Sequence, residues 1–382
     1  MINREFWINK IRAAWGKKPI VWLSGVRRTG KTTLSRMIED ALYLNCDLPS
    51  TLSRLTDPEA FYGSLAANTR LILDEIHRLP DPSMVLKVAA DAYPSLRILA
   101  TGSSTLAATT KFRDTLTGRK TTIYLPPVLW TECPGFGVSA LDKRLLHGGL
   151  PEQLLADRMD TAFFSEWIDS FYARDVQVLF GIRNRTGFLD LLHLLMRQSG
   201  GQIDYSGLSS DCGLSRPTVV AHVEAMCIAH ALFLLRPFHQ GGKRELTKRP
   251  KAYVFDTGFV AFARGWAEIR DDDRGILWEH LVLDNLRSAV DPAQLFYWQD
   301  KSGREVDFVL RRPGGQVDAI ECKVNADKVP TENLVAFRSA YPKGDNTVVS
   351  PGIRDPYTRS VDGITIRFES LSSLCQTCGT AS

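Results

Sequence analysis

The sequence predicts an α/β protein in three parts, and three observations carry that prediction. Residues 1–150 alternate short apolar runs with helix-like stretches, and the runs end in Asp, Thr, Ser or Gly, as parallel strands do when their C-terminal ends carry chemistry. Residues 151–265 are richer in helix formers, with helices expected over 161–179 and 187–198 and a compact helix–turn–helix pattern after them. Residues 266–382 return to mixed structure, with a helix near 278–290 and strands near 295–299, 306–311 and 317–324. A chain of 382 residues is long enough for two or three domains. The expected boundaries fall at these divisions, with candidate linkers at 134–137 with Gly148 and Gly149, and at 271–275.

Composition narrows the class. Hydrophobic residues make up 44% and charged residues 24%, which excludes a largely disordered chain or a small disulfide scaffold. The longest apolar runs fall well short of the roughly 20 residues of a spanning helix, so no membrane partner is expected. The N-terminal residues lack the pattern of a secretion signal. Seven cysteines, sparse and odd in number, fit reduced thiols and a cytoplasmic location. Cys375 and Cys378 have redox or zinc spacing but no second pair, and are read as part of a frayed tail. With 47 basic and 43 acidic residues the net charge is +4, too near neutral to imply nucleic acid by itself.

In the first part the apolar runs are 19–24, 41–45, 70–74, 96–101 and 121–125. Between the first run and an expected helix over 33–41 lies Gly25-Val26-Arg27-Arg28-Thr29-Gly30-Lys31-Thr32, a complete G-x-x-x-x-G-K-[ST] phosphate loop running into Thr33. Backbone N–H groups of such a loop cradle phosphates, Lys31 reaches the β- and γ-phosphates, and Thr32 ligates Mg²⁺. Leu71-Ile72-Leu73-Asp74-Glu75 supplies the second motif: Asp74 to hold Mg²⁺ through water, Glu75 to polarise the attacking water. The run 41–45 falls between the two motifs, and an added strand is the mark of the ATPase branch rather than the kinase or GTPase branches. No N-K-x-D string is present, so ATP is the expected cofactor. The next run ends in Thr101-Gly102-Ser103-Ser104, where Ser103, with Thr101 as runner-up, is the candidate γ-phosphate sensor. Arg119 is a candidate for acting on a phosphate in a second subunit, Arg174 an alternative, and either would require a homo-oligomer. His77 is read as a surface helix start. Trp7, Trp15, Trp22 and Trp278 are read as core or partner surface.

In the second part, Leu208 opens a helix, Gly213 makes a turn, and Ser215 caps a second helix whose first turn holds Arg216 and Pro217. A strand at 229–235 and a basic stretch from Lys243 to Lys251 complete a winged-helix reading, with duplex DNA as candidate partner. A packing module or ATPase lid is the alternative, because Arg216 is nearly alone on the second helix.

In the third part, Asp307 is followed fourteen positions later by Glu321-Cys322-Lys323, the layout of PD-(D/E)XK nucleases. Positions i and i+2 of a strand face the same way, so Glu321 and Lys323 project together. Asp307 from the paired strand joins Glu321 as a Mg²⁺ ligand, Glu279 completes the shell, Lys323 orients the attacking water, and Gln299 lies at a neighbouring strand end. Arg304 or Lys323 is an alternative neutraliser of these carboxylates.

The three parts in this order resemble a prokaryotic family that joins an AAA-type P-loop ATPase domain to a C-terminal domain of unknown function 4143, made of a winged helix and a restriction-endonuclease-like core. The resemblance rests on the loop at 25–33, Leu73 to Ile76, 101–104, Leu116 to Arg119, Leu125-Pro126-Pro127 with Glu132, Gly148 to Pro151, Tyr172 to Val176, Pro250 to Gly258, and Arg304 to Phe308 with Glu321 to Lys323. Trp130 departs from the family's small polar residue. The resemblance implies ATP binding and hydrolysis. Three functions follow: an ATP-dependent switch or motor acting on DNA or a protein partner, an ATP-gated Mg²⁺-dependent DNA endonuclease, or a nucleotide-bound docking protein with a retired nuclease fold.

Overall fold

The computed structural model describes residues 4–102, 106, 109–239, 249–327 and 329–380. Strands β1 (Ile20–Ser24), β2 (Ala41–Asn45), β3 (Arg70–Asp74), β4 (Arg97–Thr101) and β5 (Lys120–Tyr124) form one parallel sheet in the order β2-β3-β4-β1-β5. The apolar runs therefore become strands, within a residue or so of their expected limits. β1 is buried throughout and β3 and β4 nearly so, which is why they read as continuous apolar text. The placement of β2 corrects the expectation. It lies between the two nucleotide motifs in sequence but at the sheet edge in space, half-exposed, with Leu42 open to solvent. The strand inserted between β1 and β3 is β4.

The helix after the phosphate loop is Lys31–Arg36, shorter than 33–41. The chain must turn before β2, and Asp40 adopts a positive φ of 56° to do so. Helix Glu5–Trp15 lays Trp7 and Trp15 on the sheet, and the Trp15 indole donates to the Ile98 carbonyl at 2.9 Å.

The middle part contains helices Thr161–Phe171, Arg185–Arg197, Tyr205–Cys212 and Arg216–Ile228. A π-helical turn, Tyr172–Val176, interrupts the expected continuous helix after residue 171. Gly213 takes φ +62° between the last two helices, and the Ser215 hydroxyl accepts from the Thr218 N–H at 3.2 Å. An antiparallel pair follows, β6 (Leu232–Leu235) with β7 (Lys251–Val254). Residues 240–248, which include Lys243, Arg244 and Lys248 of the expected wing, lie outside the described residues.

Strands β8 (Leu295–Gln299), β9 (Glu305–Arg311), β10 (Val317–Cys322), β11 (Asn346–Val349), β12 (Tyr357–Val361) and β13 (Ile364–Glu369) form the mixed sheet of the C-terminal part. Its order is β12-β13-β11-β10-β9-β8. The helix ahead of them is Asp271–Ala289, not 278–290. Asp271, Asp272 and Asp273, expected as a linker, form its first turn, where acidic side chains meet the positive end of the helix dipole. Cys375 and Cys378 likewise lie on a helix, Leu371–Thr380, and Cys378 accepts a hydrogen bond from Arg312 at 3.6 Å, so the frayed-tail reading is overturned. Among the described residues no helix is long and apolar enough to cross a membrane.

One apolar core runs from Val26 in the phosphate loop, through Trp167 and Leu191, to Leu283, Phe308 and Ile320 under the C-terminal sheet. A polar junction locks the first part to the rest. Asp256, 1% exposed, accepts from the N–H groups of Gly149 and Gly258 at 2.8 Å each. Arg144, fully buried, donates to the Val128 carbonyl at 2.9 Å and the Thr257 hydroxyl at 3.0 Å. Gly148 must be glycine: it holds φ +78°, and a Cβ would lie 2.1 Å from the Asp256 carboxylate. The Gly148-Gly149 pair is therefore a close-packed joint rather than a linker. Asp256→Ala would strand buried N–H groups, each worth about 1–3 kcal/mol. Its unfolding transition in a thermal melt should fall by several degrees relative to wild type, with Asp256→Asn in between.

Candidate nucleotide site and acidic cluster

The phosphate loop leaves β1 at Ser24. Gly25 has φ +151°, and a Cβ there would lie 2.4 Å from the Leu125 carbonyl oxygen, so only glycine closes the turn. Gly30 takes φ +89° as the left-handed residue ahead of helix Lys31–Arg36. Thr29, fully buried, bonds the Val26 carbonyl at 3.1 Å. Arg4 then ties the loop from outside: it donates to the Thr29 carbonyl at 3.0 Å while forming a two-point pair with Glu132 at 2.8 and 2.7 Å. Nothing in the loop motif pointed to Arg4. Lys31 folds back on its own loop and donates to the carbonyls of Gly25 and Val26, both at 2.9 Å. Burial lowers its pKa, against the opposing charges of Glu75 and Asp175. Thr32 is half-buried and Thr33 exposed at the start of the helix.

At the end of β3, Asp74 is 2% exposed. It accepts from the Tyr43 hydroxyl at 2.6 Å and, in a very short contact, from the Thr101 hydroxyl. Thr101 also accepts the Glu75 N–H at 3.1 Å. The runner-up residue thus bridges both acids, while Ser103 lies outside the described residues. Glu75 sits in the left-handed region at φ +56°, a conformation that costs a non-glycine residue about 1–2 kcal/mol. His77 Nδ1 stands 3.1 Å from its carboxylate. That hydrogen bond holds the Glu75 carboxyl below its usual range, even though burial pushes the other way. His77, read from the sequence as surface, belongs to the site.

The middle part closes over this loop. Arg27 pairs with Asp175 at 2.5 Å, and the Trp167 indole donates to the Arg27 carbonyl at 3.2 Å. Arg28 pairs with Glu166 on the same helix and lies over the Phe163 ring. His230, 2.8 Å from the Ser24 hydroxyl, is pushed down to about 3 by burial and is neutral. The cavity left beside Lys31, Glu75, Gly102, Phe171 and Asp175 measures about 50 Å³.

The arginine candidates lie elsewhere. Arg119 forms a two-point pair with Asp91 at 2.6 and 3.0 Å. It precedes β5, at the end of the sheet opposite the phosphate loop, so it takes no part in this chain's own nucleotide site. Arg174 is exposed.

The C-terminal acids do come together. Asp307 on β9 and Glu321 on β10 lie one step beyond the Ile320–Phe308 pair of an antiparallel ladder, and therefore share a face. Lys323 reaches Glu321 at 2.6 Å and Asp307 at 3.5 Å, and Asp307 accepts the Cys322 N–H at 2.7 Å. Glu321 is fully buried, and burial together with the charge of Asp307 raises its pKa. Lys251, expected on the wing, is instead buried here, 2.6 Å from Glu305 and 3.1 Å from Glu279. Burial would lower its pKa, but the two carboxylates outweigh it and raise it. Glu279 also accepts from the Tyr253 hydroxyl, and Gln299 donates to Glu305 at 3.3 Å. Arg304 is engaged with Asp300 at the surface, so Lys323 and Lys251 are the neutralising cations. Among the described residues no group of three or more His, Cys, Asp or Glu side chains is arranged to hold a metal ion, so Glu279, Asp307 and Glu321 do not present a preformed shell.

A parallel sheet in this order, with a phosphate loop after the buried strand β1 and two acids at the end of β3, defines a P-loop ATPase fold of the AAA type. Sequence comparison matches three domain models along the chain. A AAA domain matches residues 17–133, a domain of unknown function (DUF8612) residues 138–270, and a second (DUF4143) residues 274–368. The chain thus carries a AAA P-loop ATPase domain at its N-terminal end and a DUF4143 domain at its C-terminal end. The helix–turn–helix falls in the DUF8612 match, not in DUF4143 as the resemblance implied. Uncharacterized proteins of Mycobacterium tuberculosis and Mycobacterium bovis are each 29% identical over 328 residues, covering 82% of this chain and 72% of theirs. A Walker-type ATPase of Pyrococcus abyssi is 15% identical, covering 69% of this chain and 96% of its own, with a TM-score of 0.45. The RuvB Holliday junction branch migration motor of Thermotoga maritima is 18% identical, covering 66% and 92%, with a TM-score of 0.30.

The Asp175 carboxylate holds Arg27 and its charge acts on Lys31, so Asp175→Asn should bind Mg-ATP about tenfold more tightly, roughly 1.4 kcal/mol. Titration with a fluorescent ATP analogue reads this directly, and unchanged or weaker affinity would contradict the competition.

Proposed function

We propose that the protein is an ATP-hydrolysing switch whose nucleotide state repositions its C-terminal two-thirds on DNA or a DNA-associated partner. The observation that carries this reading is the closure of the middle part on the phosphate loop, through Asp175 on Arg27, Trp167 on the Arg27 carbonyl and His230 on Ser24. Nucleotide entering beside Lys31 displaces these contacts, so binding and opening are one event. Lys31 exchanges its loop carbonyls for β- and γ-phosphate oxygens, and Gly25 to Thr33 wrap the rest. The donor set of Thr32 and the buried Asp74 is all oxygen and fits Mg²⁺. That ion supplies charge neutralisation to the phosphates when bound. Glu75, fixed by His77 and Thr101, is aimed to take a proton from the attacking water. The helix–turn–helix with its paired strands supports a winged-helix reading and the DNA direction.

A second reading, an ATP-gated Mg²⁺-dependent DNA endonuclease, draws support from the meeting of Asp307, Glu321 and Lys323 on one face. The burial of Lys251 among the acids favours instead a docking role for that part. Cleavage of duplex DNA by wild type that is lost in Asp307→Ala would move the endonuclease reading to first place.

Glu75→Gln should retain ATP binding while turnover falls roughly a hundredfold or more, the usual contribution of a general base. Measured phosphate release equal to wild type would remove Glu75 from the general-base role.

A further inference from the structure

A cleft of about 900 Å³ opens between the helix–turn–helix, β6 and the outer edge of the C-terminal sheet. Three arginines line it, Arg236, Arg287 and Arg311, against one carboxylate among the described residues, Glu224. Arg236 and Arg311 are exposed and have no ion-pair partner among the described residues. Arg287 is different: its side chain is 13% exposed, its nearest carboxylate, Asp284, is 4.0 Å away, and its buried Nε has no hydrogen-bond partner among the described residues. A guanidinium left short of acceptors in a buried wall is costly unless an anion completes it.

Two of the arginines also lie over aromatic rings. The Arg287 guanidinium lies 3.9 Å from the Phe233 centroid and 5.2 Å from that of Tyr124, and Arg311 lies 4.7 Å from that of Phe296. Guanidinium groups grouped with aromatic rings offer phosphates their N–H edges and bases a ring surface, a combination that suits nucleic acid over an acidic peptide. A cleft of 900 Å³ takes a few nucleotides of one strand. The exposed face of helix Arg216–Ile228, by contrast, offers a duplex only Arg216 among cations and carries Glu224.

We propose that this cleft binds single-stranded nucleic acid, with Arg236, Arg287 and Arg311 on the phosphates and the Phe233 and Phe296 stacks beneath the bases. The proposal deepens the DNA-directed reading by naming strand state and site, and its test is independent of ATP turnover. The test is fluorescence anisotropy of a labelled oligothymidylate strand titrated with full-length protein without nucleotide, at several salt concentrations. The double variant Arg236→Ala/Arg311→Ala, altered only at exposed positions, should bind at least roughly tenfold more weakly. Its log–log salt slope should flatten by about 1.4, at about 0.7 per lost phosphate contact. Arg216→Ala, outside the cleft, should bind as wild type. Wild type that does not bind the strand, a double variant that binds it equally well with the same salt slope, or a duplex competitor as effective as unlabelled single strand would each overturn the proposal. A loss of ATP turnover in Glu75→Gln without loss of strand binding would leave the two conclusions separate.

Discussion

The buried carboxylate of Asp256 is the joint on which the arrangement depends. It satisfies backbone donors from two stretches more than a hundred residues apart, Gly149 beside the ATPase sheet and Gly258 at the start of helix Thr257–Arg264. Arg144 crosses the same seam to Thr257. Burial pushes the Asp256 pKa up, and Arg144 and the two N–H groups pull it back. A carboxylate in that setting tolerates little displacement, so the seam holds the middle part in one register over the sheet. That register is what brings Trp167, Asp175 and His230 to the phosphate loop.

Two regions with separate chemistry meet through that register. His230 contacts Ser24 ahead of the loop, its ring lies 4.7 Å from that of Tyr124, and Arg287 lies 5.2 Å from the Tyr124 centroid. The wall of the basic cleft and the end of β1 are thus joined by a short chain of packed side chains. Such a chain can carry coupling when its members have two arrangements.

Much of the fold was legible because it is written locally. The five N-terminal strands announce themselves as short apolar runs, and the loop motif carries its own turn glycines. The positions of Glu321 and Lys323 follow from strand period alone. What was hidden depends on distant partners. Nothing near Lys251 shows that it sits between Glu279 and Glu305, and a basic stretch around it reads as a solvent-facing wing. Arg4 and Glu132 meet across most of the ATPase domain. Thr101 reaches the acids only because β4 slots beside β3, whereas His77 meets Glu75 through the short helix that follows β3. The order of strands in space, which puts β2 at the edge, is likewise absent from any local pattern. The long helix was underestimated because three consecutive aspartates resemble a linker until the helix dipole is considered.

The π turn at Tyr172–Val176 has a consequence for the sign of charge offered to a nucleotide. Its closing bond runs from the Gln177 N–H to the Tyr172 carbonyl, five residues back rather than four. One extra residue per turn shifts the helical phase of everything on one side relative to the other by about 100°. With the bulge where it stands, the side chain facing the loop is Asp175, and its neighbour Arg174 looks outward. Wound as an ordinary α-turn, the same five residues would present a different side chain to the phosphates. Whether this surface repels or welcomes an anion is therefore a matter of backbone pitch, set by which carbonyl a single amide selects.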